Sequence, residues 1–305
     1  MSVTASAPGK VILFGEHFVV HGNPAVVSSI NLRARVTASR SQGEGVRLEA
    51  ESQDNPAVRS ASYILESLGQ KGGVSLRISS EIPQSVGLGS SAAIAVASAA
   101  AALKLCSDQL DLVLILKAAH EGEKIIHYTP SGIDTSIATF GGAGIYTRSK
   151  GYRRLDFELK EILVVNTGRQ RRTGDLVRRV KEFREKDPKR FEKLLEESRR
   201  IVEESVDHLK AHEIEPLGRL MTRNQELLRI IGVSSPEIEQ AINACMKAGA
   251  YGAKLTGAGG GGCVIAVADY DKLDLVVEKL SRSFQVFKVK LGVEGARVES
   301  QAENP

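Results

Sequence analysis

The segment Gly87-Leu88-Gly89-Ser90-Ser91-Ala92-Ala93 constrains this chain more than any other stretch. It follows a strand-like alternation of Val74, Leu76, Ile78, Ser80 and Ile82 that Pro83 ends. It opens an alanine-rich run whose composition predicts a helix over 90–105. A tight glycine turn feeding a helix N-terminus leaves backbone N–H groups and the helix dipole facing one anion. Ser90 and Ser91 add hydroxyls able to donate to phosphate or ligate Mg²⁺. A plain glycine turn capping a core helix fits the segment equally well. The spacing of Gly87, Gly89 and Ala92 also satisfies the dinucleotide fingerprint G-x-G-x-x-A. Two features argue against that reading: residues 83–86 separate the turn from its strand, and a β-rich region precedes it. No G-x-x-x-x-G-K-[ST] occurs, so the segment is not a P-loop.

Glycine stands at 29 of 305 residues, and two further clusters hold many of these. Gly257-Ala258-Gly259-Gly260-Gly261-Gly262 lies between Thr256 and a buried strand. Four consecutive glycines are entropically expensive, which points to close approach by a ligand or another loop, or else to a hairpin tip. Near the N-terminus, Gly9 and Gly15 flank an apolar strand bordered by Lys10, Glu16 and His17. That stretch alone reads most simply as solvated charges at strand ends. Glu123, four residues before His127, and Asp134, after Ser131-Gly132, supply two carboxylates. They do not form HExxH, and they suit Mg²⁺-assisted phosphoryl transfer better than a zinc hydrolase.

The bulk numbers narrow the partners. Lys plus Arg number 41 against 37 Asp plus Glu, too mild a balance to argue for nucleic acid. Cys106, Cys245 and Cys263 show no metal spacing and lie in apolar runs, which reads as buried reduced thiols. The first residues lack the charged-then-apolar order of a signal, and the apolar run 92–105 is too short to span a bilayer. A cytoplasmic protein with no nucleic-acid or membrane partner is the expectation.

Along the chain, residues 2–40 read as strands around a Gly22-Asn23 turn, and 41–56 as a polar loop or short hairpin. Asn55-Pro56 starts a helix to about Leu68. Asp108 is the expected cap of a helix running to about His127, with Asp111 in its first turn. A strand follows at 144–147, another at 162–166, and then mixed-charge helix over 174–212 broken at Asp187-Pro188. Ser235-Pro236 starts another helix; strands at 253–256, 264–268 and 286–291 surround a helix at 272–281. This order predicts an α+β fold of two domains, 1–160 and 161–305.

Residues 7–22, 81–93, 122–142 and 254–263 together resemble, in order and register, the motifs of the GHMP kinases. Within that superfamily the chain looks like the mevalonate kinases of the short archaeal or bacterial kind. The resemblance implies an N-terminal α+β domain with a left-handed crossover and a C-terminal ferredoxin-like domain. It implies ATP and Mg²⁺ as cofactors, (R)-mevalonate as the acceptor, 5-phosphomevalonate for isoprenoid biosynthesis as the product, and a homodimer. By motif position Asp134 is the catalytic base and Lys10 its charged partner, while Ser91 and Glu123 hold Mg²⁺. Ser85, Val86, Gly87, Leu88, Gly89, Ser90 and Ser91 wrap the ATP phosphates, with Asn55 and Ser80 as weaker nucleotide contacts. Glu16, His17, Arg171 and Thr173 face mevalonate; the basic cluster Arg169, Arg171, Arg172 reads equally well as a solvated loop. His21 and Tyr128-Thr129 depart from the usual pattern. They leave room for a sister chemistry (phosphomevalonate kinase, mevalonate 3-kinase or homoserine kinase), and a non-catalytic nucleotide sensor is the reading outside enzymes.

Overall fold

The computed structural model describes residues 2–49, 54–107, 109–126, 131–157, 159–169 and 173–300. Six strands build most of the first sheet: β1 (Ser2–Phe14), β2 (Ala25–Ser41), β3 (Val46–Leu48), β4 (Gly73–Ser80), β5 (Ala143–Thr147) and β6 (Gly151–Arg154). The length of β2 sets the topology. Its first half pairs with β5 and its second half with β4, while β1 runs antiparallel along nearly all of it. β3 pairs parallel with β4, so the connection between them must cross over, and it carries α1 (Pro56–Ser67). β3, the strand within the polar stretch 41–56, pairs with β4 rather than with a hairpin partner inside that stretch.

Alanine dominates α2 (Ser90–Cys106), and a helix apolar on all sides must be buried on all sides. It lies against β1 and β2, with α1 and α3 (Leu112–Glu123) packed over it. Gly122 allows α1 and α3 to touch: a Cβ there would stand 2.6 Å from the Pro56 carbonyl oxygen. The cap of α3 differs from expectation. Asp111, not Asp108, is the N-cap, its Oδ1 accepting from the Val113 and Leu114 amides at 2.8 and 3.1 Å. Asp108 lies outside the described residues. The short helix α4 (Ile133–Phe140) stands where the sequence suggested only a glycine turn. It starts at Gly132 without a side-chain cap, so no start signal marks it.

The second sheet collects β7 (Glu161–Asn166), β8 (Gly252–Thr256), β9 (Cys263–Val267) and β10 (Gln285–Lys290) in the antiparallel order β10-β7-β9-β8. Four helices, α5 (Thr173–Lys186), α6 (Pro188–Ala211), α7 (Ile214–Ile230) and α8 (Pro236–Ala248), fill the first connection. α9 (Leu273–Leu280) fills the last. This is the ferredoxin-like order, with the first helix expanded into four. The breaks between α5, α6 and α8 follow the sequence signals: Asp187 and Ser235 cap the helices that Pro188 and Pro236 open. The chain then returns: β11 (Arg297–Val298) pairs with β1, so residues after 290 lie on the first sheet.

Candidate active site

Lys10 sits on β1, which packs against α2 and touches β8 of the second sheet, and is 3% exposed. The β1–β2 register slips between Pro8 and Gly9, and such a bulge re-aims the side chain beside it. The Lys10 amide donates to Leu88 O at 2.8 Å, and its Nζ donates to Gly87 O at 2.9 Å. The glycine turn therefore rests on Lys10. A Cβ on Gly9 would lie 2.8 Å from Leu88 O, and one on Gly89 would lie 3.0 Å from the Lys10 Cγ.

The same Nζ stands 3.3 Å from Asp134 Oδ1. Asp134 lies in the first turn of α4, and its side chain is 31% exposed. An ion pair with one partner buried and the other open to the cleft leaves carboxylate lone pairs for an incoming group. Ser91 Oγ donates to Glu123 Oε1, joining the starts of α2 and the end of α3. Burial pushes the Glu123 carboxyl up to about 7; the nearby Asp134 charge adds to this, while the Ser91 hydrogen bond and Lys10 oppose it. Thus Lys10, Ser91, Glu123 and Asp134, far apart in sequence, converge on one site.

The turn itself has the backbone conformation that an anion cradle requires. Gly87, Gly89 and even Ser85 have positive φ (96°, 76° and 61°). Gly89 caps α2 without a side-chain hydrogen bond, and Ser90 Oγ is buried with no partner. An unpartnered hydroxyl at a helix N-terminus fits a phosphate oxygen. Among the described residues no group of three or more His, Cys, Asp or Glu gathers into a metal cage. One carboxylate and one hydroxyl beside phosphate oxygens is the donor set that Mg²⁺ accepts, so Ser91 and Glu123 fit that ion.

The third glycine cluster approaches another loop. A Cβ on Gly262 would stand 2.5 Å from Val86 O, within the phosphate turn. One on Gly259 would stand 2.2 Å from Val233 O. Gly262 N also donates to Arg169 O at 2.8 Å, tying the cluster to the second sheet's edge.

The substrate-side residues divide. His17 adopts φ 61° and its Nε2 lies 2.8 Å from Ala258 O, against the third cluster. Glu16 differs from the expectation of an open substrate contact: it is fully buried and paired with Lys254 of β8. Burial pushes the Glu16 carboxyl up and the Lys254 ammonium down, each opposed by its partner. Glu16 Oε2 has no partner, nor has Nδ2 of Asn224, whose Oδ1 accepts from the adjoining Gly15 amide. Lys254 and Asn224 received no role from the sequence; Lys254 carried a signal as a lone lysine in an apolar strand. Two expected nucleotide contacts have local partners. The Asn55 oxygen caps α1 through Ala57 N, and Ser80 Oγ closes the turn at Ile82. Arg171 and the side chain of Thr173 lie outside the described residues, as do Arg172, His127 and Tyr128-Thr129. His21 packs edge-on against Phe191, ring centroids 4.9 Å apart.

A buried lysine under a glycine turn, an acidic helix start beside it and a ferredoxin-like second domain define a GHMP kinase. Residues 55–142 match the GHMP kinases N terminal domain, and residues 205–286 match GHMP kinases C terminal. The chain is 35% identical to the mevalonate kinase of Pyrococcus abyssi, covering 99% of each. It is 39% identical to that of Archaeoglobus fulgidus, covering 88% of this chain and 93% of the relative. The crystal structure of L. major mevalonate kinase in complex with R-mevalonate superposes with a TM-score of 0.84 at 29% identity, covering 95% of this chain and 96% of that one. The chain belongs to the mevalonate kinase family. No described helix is long and apolar enough to cross a membrane.

Proposed function

We propose that this chain transfers the γ-phosphoryl group of ATP to the C5 hydroxyl of (R)-mevalonate. The observation that carries the reading is the Lys10–Asp134 pair, half open to the cleft beside the phosphate turn. Asp134 accepts the hydroxyl proton as transfer proceeds. Lys10 keeps positive charge beside the nascent alkoxide, and its bonds to Gly87 and Leu88 fix the turn relative to Asp134. The free N–H groups of α2 and the Ser90 hydroxyl hold phosphate oxygens. Ser91 and Glu123 would hold Mg²⁺, which would supply neutralisation of phosphate charge. His17, Arg171 and Thr173 are the residues assigned to the acceptor, and Glu16, buried and paired with Lys254, supports the strand end behind His17. The mevalonate assignment follows the family, whose relatives carry that name over their full length. A coupled ADP-release assay over a panel of small alcohols tests it: mevalonate should give the highest kcat/KM. Preference for phosphomevalonate or homoserine would move the chain to a sister activity, and ATP binding without turnover on any alcohol would make it a sensor.

Two results should accompany this reading. Gly262→Ala forces a Cβ onto the Val86 carbonyl at a φ of 79°, and Val86 belongs to the phosphate turn. ATP affinity measured by calorimetry should fall about tenfold, a misplacement effect, as the turn shifts. Glu123→Gln mimics the protonated carboxyl. The folded-state value of about 7 lies above the ordinary 4.5, so the native chain loses stability from this group as pH rises through that window. Without Mg²⁺, the variant should match wild type at pH 4.5 and exceed it at pH 8 by on the order of 3 kcal/mol. Urea titrations at the two pH values check this; equal gaps at both would remove Glu123 as the cause.

A further inference from the structure

Residues 291–298 cross from the second sheet back to the first and bind α4 at the end opposite Asp134. Gly142 N donates to Val293 O at 2.7 Å, and Ala296 N donates to Thr139 O at 3.0 Å. Gly141 and Glu294 form an isolated bridge. The fit leaves no room for side chains: a Cβ on Gly295 would lie 2.2 Å from Thr139 O, and one on Gly141 would lie 2.1 Å from Gly295 N. α4 is only eight residues long, so Thr139 is about one and a half helical turns from Asp134, and Gly141 about two. A displacement at one end of so short a rigid element reaches the other.

Arg33 of β2 closes this strap. Its side chain is buried, and its guanidinium donates to Glu294 O (2.8 Å) and Gly295 O (2.6 Å) on the strap. It also donates to Ser6 Oγ (2.8 Å) and Ser6 O (3.1 Å) on β1. Four hydrogen bonds from one planar fork thus tie the strap to the strand that carries Lys10. Ser29 adds a bond from its Oγ to Val293 O at 2.7 Å. Every strap acceptor named here is a backbone carbonyl, so the device depends on chain path rather than on strap side chains. α4 also packs on α2, α3 and β1, with Ala138 in the main core and with Ile133 and Ile137 in a smaller one beside Ile12, Val19, Ala25, Val27 and Tyr146.

We infer that the strap 291–298, clasped by Arg33, is a positioning device that sets α4 and thereby the placement of Asp134 against Lys10. The inference rests on the reading of Asp134 as the base. Arg33 and Gly295 touch no substrate in this account; they act through α4.

Two variants test it in the full-length chain. Arg33→Lys keeps a cation but cannot bridge two carbonyls and Ser6 together. Gly295→Ala keeps Arg33 and presses on Thr139 O. Both should lower kcat by about 10- to 100-fold, the expected effect of misplacing a reacting group by an ångström. KM for ATP and mevalonate should stay within about twofold, because uniform binding is untouched. Hydrogen exchange should accelerate at the amides of residues 134–142 in both variants. Normal kcat per folded molecule, a rise in KM in place of the kcat loss, or unchanged exchange in α4 would each overturn the inference. Failure of both variants to fold would overturn it in favour of a purely structural strap. Asp134→Asn run alongside separates the two readings: if it keeps full turnover the base assignment fails, while α4 exchange still reports on the strap.

Discussion

Asp134→Asn is expected to keep nucleotide binding and lose about 10²- to 10⁴-fold in kcat, the range that a positioned general base contributes. The substitution is nearly isosteric, so the start of α4 and its packing remain. It removes the only carboxylate that both contacts Lys10 and reaches the cleft, among the described residues. Glu123 cannot substitute for it. Glu123 is 4% exposed, bonded to Ser91, and holds a proton to about pH 7. ATP affinity should change little, since the phosphate turn rests on Lys10 through Gly87 and Leu88 rather than on Asp134. Stopped-flow ADP release together with calorimetric ATP binding separates the two quantities. A loss of both would make Asp134 part of the nucleotide site.

Lys254→Met should be strongly destabilising. It leaves the Glu16 carboxylate fully buried with no countercharge, a defect worth about 3–5 kcal/mol. The loss should show as a fall in the urea midpoint at constant slope. The double variant Glu16→Gln/Lys254→Met should recover most of it, because neither charge remains to be desolvated. The pH dependence has a definite sign. With Lys254 gone, burial, the largest cause, is opposed only by a backbone hydrogen bond and by Lys10, so Glu16 stays raised above the ordinary 4.5. The variant's deficit should then shrink as pH falls through the folded-state value and vanish below 4.5, where the carboxyl is neutral in both states. A deficit independent of pH would mean that lost packing, not the unpaired charge, is responsible.

The glycine turn that opens α2 was legible in the sequence because its signal is local: a glycine pair, two serines and an alanine helix follow one another. The helix starts at Asn55-Pro56, Asp187-Pro188 and Ser235-Pro236 were legible for the same reason, since a capping side chain and a proline need only their own neighbours. Lys10, Glu123 and Asp134 could be singled out as chemistry-bearing residues, yet only the fold brings Lys10 and Asp134 within 3.3 Å. The residues assigned wrongly or not at all owe their roles to distant partners. Glu16 reads as a polar strand end until Lys254, 238 positions away, is placed against it. α4 escaped notice because eight residues starting at a glycine carry no cap, and β11 because a two-residue strand has no periodicity. The strap is invisible in sequence for a further reason: its partners are backbone carbonyls, which every residue has.

The central claim is the phosphorylation of mevalonate at C5, and phosphorus NMR of the product tests it most directly. Incubation with Mg-ATP and (R)-mevalonate should yield ADP and a single phosphomonoester whose phosphorus couples to the two C5 methylene protons. A product lacking that coupling, as a phosphate on the tertiary C3 oxygen would be, or no phosphorylated product at all, would contradict the account.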